Sequence, residues 1–155
     1  MAAHVHHLAI DFSATQAMSS LYRTANSVRS HLTRTVLREH DLTWTGFVVL
    51  WIVWIWEGRE TRDVADSAGI SKGTLTGVVH TLQARGWLTR EPVEGDKRLV
   101  LLQMTPTGIA LMEEIYPAFN AAEADAVGVL SPRAIADLTR SLRRITNHLE
   151  QDAPN

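Results

Sequence analysis

The chain has 155 residues, 45% hydrophobic and 21% charged, a composition that suits one compact globular domain and excludes a disordered chain. It contains no cysteine, which excludes disulfides, thiolate nucleophiles, thiol redox switches and cysteine zinc sites. The formal net charge is -2, so any affinity for a polyanion must come from where the cations sit rather than from their number.

Residues 1–12 lack the charged start and long apolar run of a secretory leader. The most apolar stretch, residues 47–56, is shorter than the roughly 20 residues a membrane helix needs, so no membrane association is expected. His4, His6 and His7, with Asp11 nearby, are the residue types of a zinc site. A solvated terminus explains them as well, and no metal is assigned.

Residues 13–40 read as one long helix capped by Ser13. Met18, Leu21, Tyr22, Ala25, Val28, Leu32 and Val36 recur at three- and four-residue spacing. Thr43 is placed to cap a second helix over 44–56, with Phe47, Leu50, Trp51, Trp54 and Ile55 inward and Gly58 beyond its end. A short helix from Arg62 to Ala68 stops at Gly69. Ser71 then opens another that runs to Arg85, with Gly86 just past it. The turn Ala68, Gly69, Ile70, Ser71 has the length and glycine of a helix-turn-helix.

After Gly86 the period changes. Trp87 to Arg90 and Leu99 to Met104 read as two strands of a hairpin, joined by a polar turn with Pro92, Glu94 and Gly95. Thr105 with Pro106 opens a helix to about Val127, and Ser131 with Pro132 opens a last one to about Glu150. The fold class is mainly α (α+β). One domain over 1–155 is expected, with a winged helix-turn-helix lobe at 44–104 between dimerisation helices at 13–43 and 106–150. The outer helices carry apolar stripes that the lobe cannot cover, and a second copy of the chain is the economical cover.

The helix opened by Ser71 has an unusual outer face. Leu75, Val78, Val79 and Leu82 form its inward stripe, whereas Lys72, Gly73, Thr76, Gly77 and His80 fall opposite. A solvated face normally carries Glu and Lys pairs. Each interior glycine costs about 1 kcal/mol relative to Ala, a loss that makes sense where the backbone must approach another surface. A DNA major groove is such a surface. Lys72, Thr76 and His80 are the candidate base contacts, with Ser71 and Thr74 on phosphate at the helix N-terminus. At the hairpin tip, Lys97 and Arg98 are candidate DNA contacts, Arg98 in a minor groove with Asp96 orienting its guanidinium. Residues 59–98 hold seven Lys and Arg against six Asp and Glu, so non-specific DNA affinity should be modest and salt-sensitive.

The stretch from Asp96 to Gly108 resembles the wing signature of the MarR (multiple-antibiotic-resistance regulator) family. That signature is an Asp-x-Arg, a strand and a Leu-Thr-x-x-Gly, with Met104 here in the Leu place. Leu82 to Arg90 is similar to that family's recognition-helix exit, and Leu42 to Phe47 to its second-helix entry. The resemblance runs over about residues 15–150. It implies a homodimer with two winged lobes on double-stranded DNA at a pseudo-palindromic operator. The implied function is a cytoplasmic, sequence-specific transcription regulator, a repressor released by a small-molecule effector. Gly77 departs from the larger polar or basic residues the family places on this helix.

The resemblance also makes His31, Trp44 and Trp51 candidate walls of a pocket for a small aromatic effector, although core packing explains most of the tryptophans as well. His40 lies in the same region, and either histidine can respond to pH. No phosphate-binding glycine loop, nucleophile elbow or His-Glu-x-x-His motif is present, so neither an enzyme nor a cofactor is expected. Two other classes stay open at this stage. An architectural DNA-binding protein without effector would discriminate little between sequences. A winged-helix protein–protein adaptor would show no salt-dependent DNA binding.

Overall fold

The computed structural model describes residues 8–93 and 96–151, the side chains of 93 and 96–99 excepted. The histidines at 4, 6 and 7 therefore lie outside the described residues. Chain order is α1 (Phe12–Thr35), a 3-10 turn (Leu37–His40), α2 (Trp44–Ile55), β1 (Arg59–Glu60), α3 (Thr61–Ala68), α4 (Lys72–Ala84), β2 (Leu88–Val93), β3 (Asp96–Met104), α5 (Pro106–Val127) and α6 (Pro132–Gln151). No described helix is long and apolar enough to cross a membrane.

Local signals set most boundaries. Asp11, not Ser13, caps α1: its carboxylate accepts from the backbone N–H groups of Ser13 and Ala14 and from the Ser13 hydroxyl. Those donors, the Ala14 N–H foremost, hold the Asp11 carboxyl below its usual pKa. Thr43, Ser71 and Thr105 accept from the N–H groups of Gly46, Thr74 and Gly108 and so open α2, α4 and α5.

The expected single helix over 13–40 breaks at Val36. Val36, Leu37 and Leu42 are all buried, and seating them on the core requires the chain to change direction. The 3-10 turn does this, and Asp41 takes a left-handed conformation (φ 51°) to leave it. The two expected strands are longer than the reading of 87–90 and 99–104, because cross-strand pairing extends both. β3 is the centre of a three-stranded antiparallel sheet in the order β1-β3-β2, with Arg90 opposite Leu102 and Pro92 opposite Val100. β1 was not legible, since two residues carry no period.

α2 is the hub. It packs on α3, α4, α5 and β3. Phe47, Val49, Leu50, Ile52 and Val53 are buried, a wider arc than one inward stripe, as expected of a helix that is apolar nearly all round. Trp51 and Trp54 are only partly buried, and Ile55 is exposed. One hydrophobic cluster joins α2 to Leu32 and Leu37, to Leu75, Val79 and Leu82 of α4, and to Met112, Ile115 and Phe119 of α5. Phe47 stacks on Phe119 at 4.1 Å between ring centroids. The first half of α1 and the whole of α6 bury no residue.

Candidate nucleic-acid interface

The helix-turn-helix is built from local backbone chemistry. Gly69 ends α3 in the left-handed region (φ 63°), where a side chain is strained. Its N–H and that of Ile70 close on the carbonyls of Asp66 and Ala65. Ser71 caps α4 through the Thr74 N–H at 3.1 Å, and the two hydroxyls lie 2.9 Å apart, one donating to the other. Leu75, Val79 and Leu82 anchor α4 on the core, with Val78 half-buried.

Lys72, Gly73, Thr74, Thr76, Gly77 and His80 are all exposed on α4, as is Ser71 at its start. The Thr76 hydroxyl donates to the Lys72 carbonyl at 2.9 Å, which fixes its rotamer and leaves its oxygen free to accept. The two glycines have no reason in the fold. A Cβ on Gly77 would meet nothing within 4 Å, and one on Gly73 only the Ser71 hydroxyl at 3.9 Å. Both carry a helix penalty of about 1 kcal/mol with no packing gain, so α4 shows bare backbone outward.

Beside this face a groove of about 390 Å³ runs between α4 and the sheet. Lys72 and Thr76 wall it together with Arg62, Arg90 and Glu60. In the sequence Arg62 and Arg90 count among the cations of residues 59–98, with neither assigned a DNA contact. Their convergence on Lys72 depends on the α3–α4 angle and on strand register, which no spacing in the sequence reports. Arg62 also lies 3.8 Å from Asp66, an exposed pair that leaves its charge available. Asp96 begins β3 with its backbone opposite Val93. The side chains of Asp96, Lys97 and Arg98 lie outside the described residues.

A second depression, about 680 Å³, separates the C-terminal half of α1 from the N-terminus of α2. Arg29, Arg34 and Arg38 stand on one side and Trp44 on the other. Of His31, Trp44 and Trp51, the residues expected to wall an effector pocket, Trp44 lines this cleft. His31 is half-buried on α1 and Trp51 packs against the core, and neither lines this cleft. The break at Val36 puts Arg38 on the 3-10 turn, where it lines the cleft together with Trp44. Among the described residues no group of three His, Asp or Glu side chains is placed to hold a metal.

Comparison with known proteins agrees with this architecture. Residues 42–100 match the model of the MarR family. The chain is 31% identical over 140 residues to YwaE, a helix-turn-helix-type transcriptional regulator of Bacillus subtilis, covering 90% of this chain and 82% of that protein. Among solved structures it is similar to Bordetella bronchiseptica BpsR (28% identity, TM-score 0.78, 84% of this chain and 98% of that one). It also shares its fold with Sco3205 of Streptomyces coelicolor, a MarR family regulator solved in complex with DNA (22% identity, TM-score 0.82, 90% and 89%). With a helix-turn-helix that turns a bare, cation-flanked helix face outward, and with relatives alike over most of their length, the chain belongs to the MarR family of DNA-binding transcriptional regulators.

Proposed function

We propose that the chain is a homodimeric cytoplasmic repressor, without enzymatic activity, that reads a pseudo-palindromic operator through α4 and is released by a small aromatic acid. The observation that carries the DNA reading is the outer face of α4, where two glycines with open space above them lie among Lys72, Thr76 and His80. Bare backbone lets a helix approach a groove closely, and a solvated helix gains nothing from it. In this reading Lys72, Thr76 and His80 touch base edges, Ser71 and Thr74 touch phosphate, and Gly73 and Gly77 let the helix sink. Lys97 and Arg98 at the hairpin tip, with Asp96 orienting, extend the contact to a neighbouring groove.

The dimer reading rests on uncovered apolar faces. Leu138, Leu142, Ile145 and Leu149 line one side of α6 at helical spacing and are 37–60% exposed. Met18 and Tyr22 of α1 are 37% and 65% exposed. Such stripes in one chain need a partner, and two-fold pairing of identical stripes satisfies both copies at once. The effector reading rests on the α1–α2 cleft, where three guanidiniums suit a carboxylate and the Trp44 indole suits a ring. The similar BpsR has its DNA binding regulated by 6-hydroxynicotinic acid, a ligand of this class.

Selection of bound sequences from random DNA tests the reading. The expected result is two inverted half-sites with centres about 10 base pairs apart, one turn of B-DNA. Lys72→Ala, Thr76→Ala and His80→Ala should each alter the selected pattern within the half-site. A direct repeat, or a pattern that survives all three substitutions, would falsify the assignment of α4. Repeating the selection with aromatic acids tests the effector: release from the parent that is lost in Arg38→Ala supports the cleft.

A further inference from the structure

One guanidinium ties three parts of this fold together. Arg85 is the residue that ends α4. Its Nη1 donates to the carbonyls of His40 at 3.2 Å and Asp41 at 3.0 Å, both in the turn that leaves α1. Its Nη2 pairs with the Asp41 carboxylate. The guanidinium also lies over the Trp87 ring, 4.8 Å from the centroid. Trp87 is the root of the hairpin: its N–H donates to Leu82, and its carbonyl accepts from Thr105 at the start of α5.

The parts of this clasp are unequal. The Asp41 side chain is 89% exposed, so its ion pair is screened and contributes little. The Arg85 side chain is 31% exposed, and the two main-chain carbonyls it holds are acceptors that no other described hydrogen bond uses. A charged donor on a partly buried carbonyl is the stronger bond. Nη1 alone reaches both carbonyls, while the flat guanidinium stacks on the indole; a methionine of similar length keeps an apolar stem but has no donor for either carbonyl. The turn itself is anchored by Leu37 and Leu42, both buried, and Asp41 lines both the arginine cleft on one side and a groove along α4 on the other.

We propose that Arg85 is a positioning residue for DNA reading, its Nη1 on the His40 and Asp41 carbonyls and its stack on Trp87 fixing α4 and the hairpin root against the turn that leaves α1. Resting on the dimer and operator reading above, this gives Arg85 control of the distance between the two α4 helices of a dimer without touching DNA. A rigid link confines binding to one half-site spacing. A loosened link lets each lobe shift and accept neighbouring spacings, while the base pattern inside each half-site stays as it was.

The test uses the full-length protein, its selected operator, and operators with one base pair added or removed between half-sites. Arg85→Met, which has no donor, should lower the preference for the best spacing by about ten-fold, the scale of one charge-assisted hydrogen bond, with the half-site pattern unchanged. Asp41→Asn keeps both carbonyls and should leave the preference as in the parent. A residue needed only for folding would weaken all spacings alike. Hydrogen exchange on the DNA-free protein is the second arm. Arg85→Met should speed exchange in residues 37–43 and 83–87 together, with α5 unaffected. An unchanged spacing preference, or unchanged exchange in both segments, overturns the proposal. If the parent selects no two-part operator, the operator reading has failed separately, and the exchange arm still decides whether Arg85 holds the turn.

Discussion

Gly108, in the first turn of α5, lies directly beneath the carbonyl of Trp87, so that a Cβ on it would fall far inside contact with the carbonyl oxygen and 3.0 Å from the carbon. Thr105 reinforces the same junction: its N–H donates to Trp87 and its hydroxyl to Gly86 at 2.6 Å, while that hydroxyl oxygen also accepts from the Gly108 N–H. The Thr-x-x-Gly of the wing signature is thus a device for docking α5 on the hairpin root. Gly108→Ala should destabilise the protein by about 1–3 kcal/mol through overpacking against rigid backbone, read as a lower denaturant midpoint. An unchanged midpoint would show that the junction can shift at no cost.

Gly77→Ala should do the opposite to stability. Its Cβ meets nothing, so the helix gains about 1 kcal/mol and the melting temperature rises. Operator affinity should fall nonetheless, because the added methyl holds α4 away from the groove. Titrations across salt concentrations check this. If Gly77→Ala binds as tightly as the parent, the bare face has another explanation.

Leu142→Asp puts a charge in the middle of the exposed α6 stripe. It should split the dimer while leaving the lobe folded, since Leu142 is exposed and not part of the buried cluster. Sedimentation should move from about twice the 17.2 kDa chain mass toward that mass, with far-ultraviolet dichroism largely retained. A variant that remains dimeric would place the interface elsewhere.

The start of α1 should depend on pH. The folded Asp11 carboxyl titrates below its ordinary value because three donors favour its charged form. With the folded pKa depressed, the cap's contribution is complete above the unfolded value and is lost as pH falls through the folded one. Carboxyl chemical shifts should give a lowered midpoint for Asp11, with α1's first-turn amides exchanging faster below it. Asp11→Asn should retain much of the cap and remove the pH dependence. A midpoint at the ordinary aspartate value would argue against the cap in solution.

Much of this fold is written locally. Caps at Thr43, Ser71 and Thr105 and the stop at Gly69 are short-range backbone chemistry, and each was legible from residue type and position. The outer face of α4 was legible too, because helical period fixes which residues lie opposite Leu75 and Leu82 once those are buried. Local chemistry does not choose where two signals compete over one or two residues. Ser13 and Asp11 are both good caps, and only the backbone geometry shows that Asp11 accepts the free N–H groups.

Tertiary structure decided the rest, for one physical reason: it depends on groups distant in the chain meeting at a fixed angle. The apolar repeat of α1 continues past residue 35, yet burying Leu37 and Leu42 on the α2 core outweighs helix continuation and forces the turn. β1 exists only because β3 lends it a ladder, with Arg59 opposite Leu102. Arg38 shares a cleft with Trp44, Arg62 and Arg90 share a groove with Lys72, and Arg85 grips a turn more than forty residues earlier. A sequence announces its charges and its periods, but a convergence of side chains is a property of packing angles, and those are set by the whole core at once.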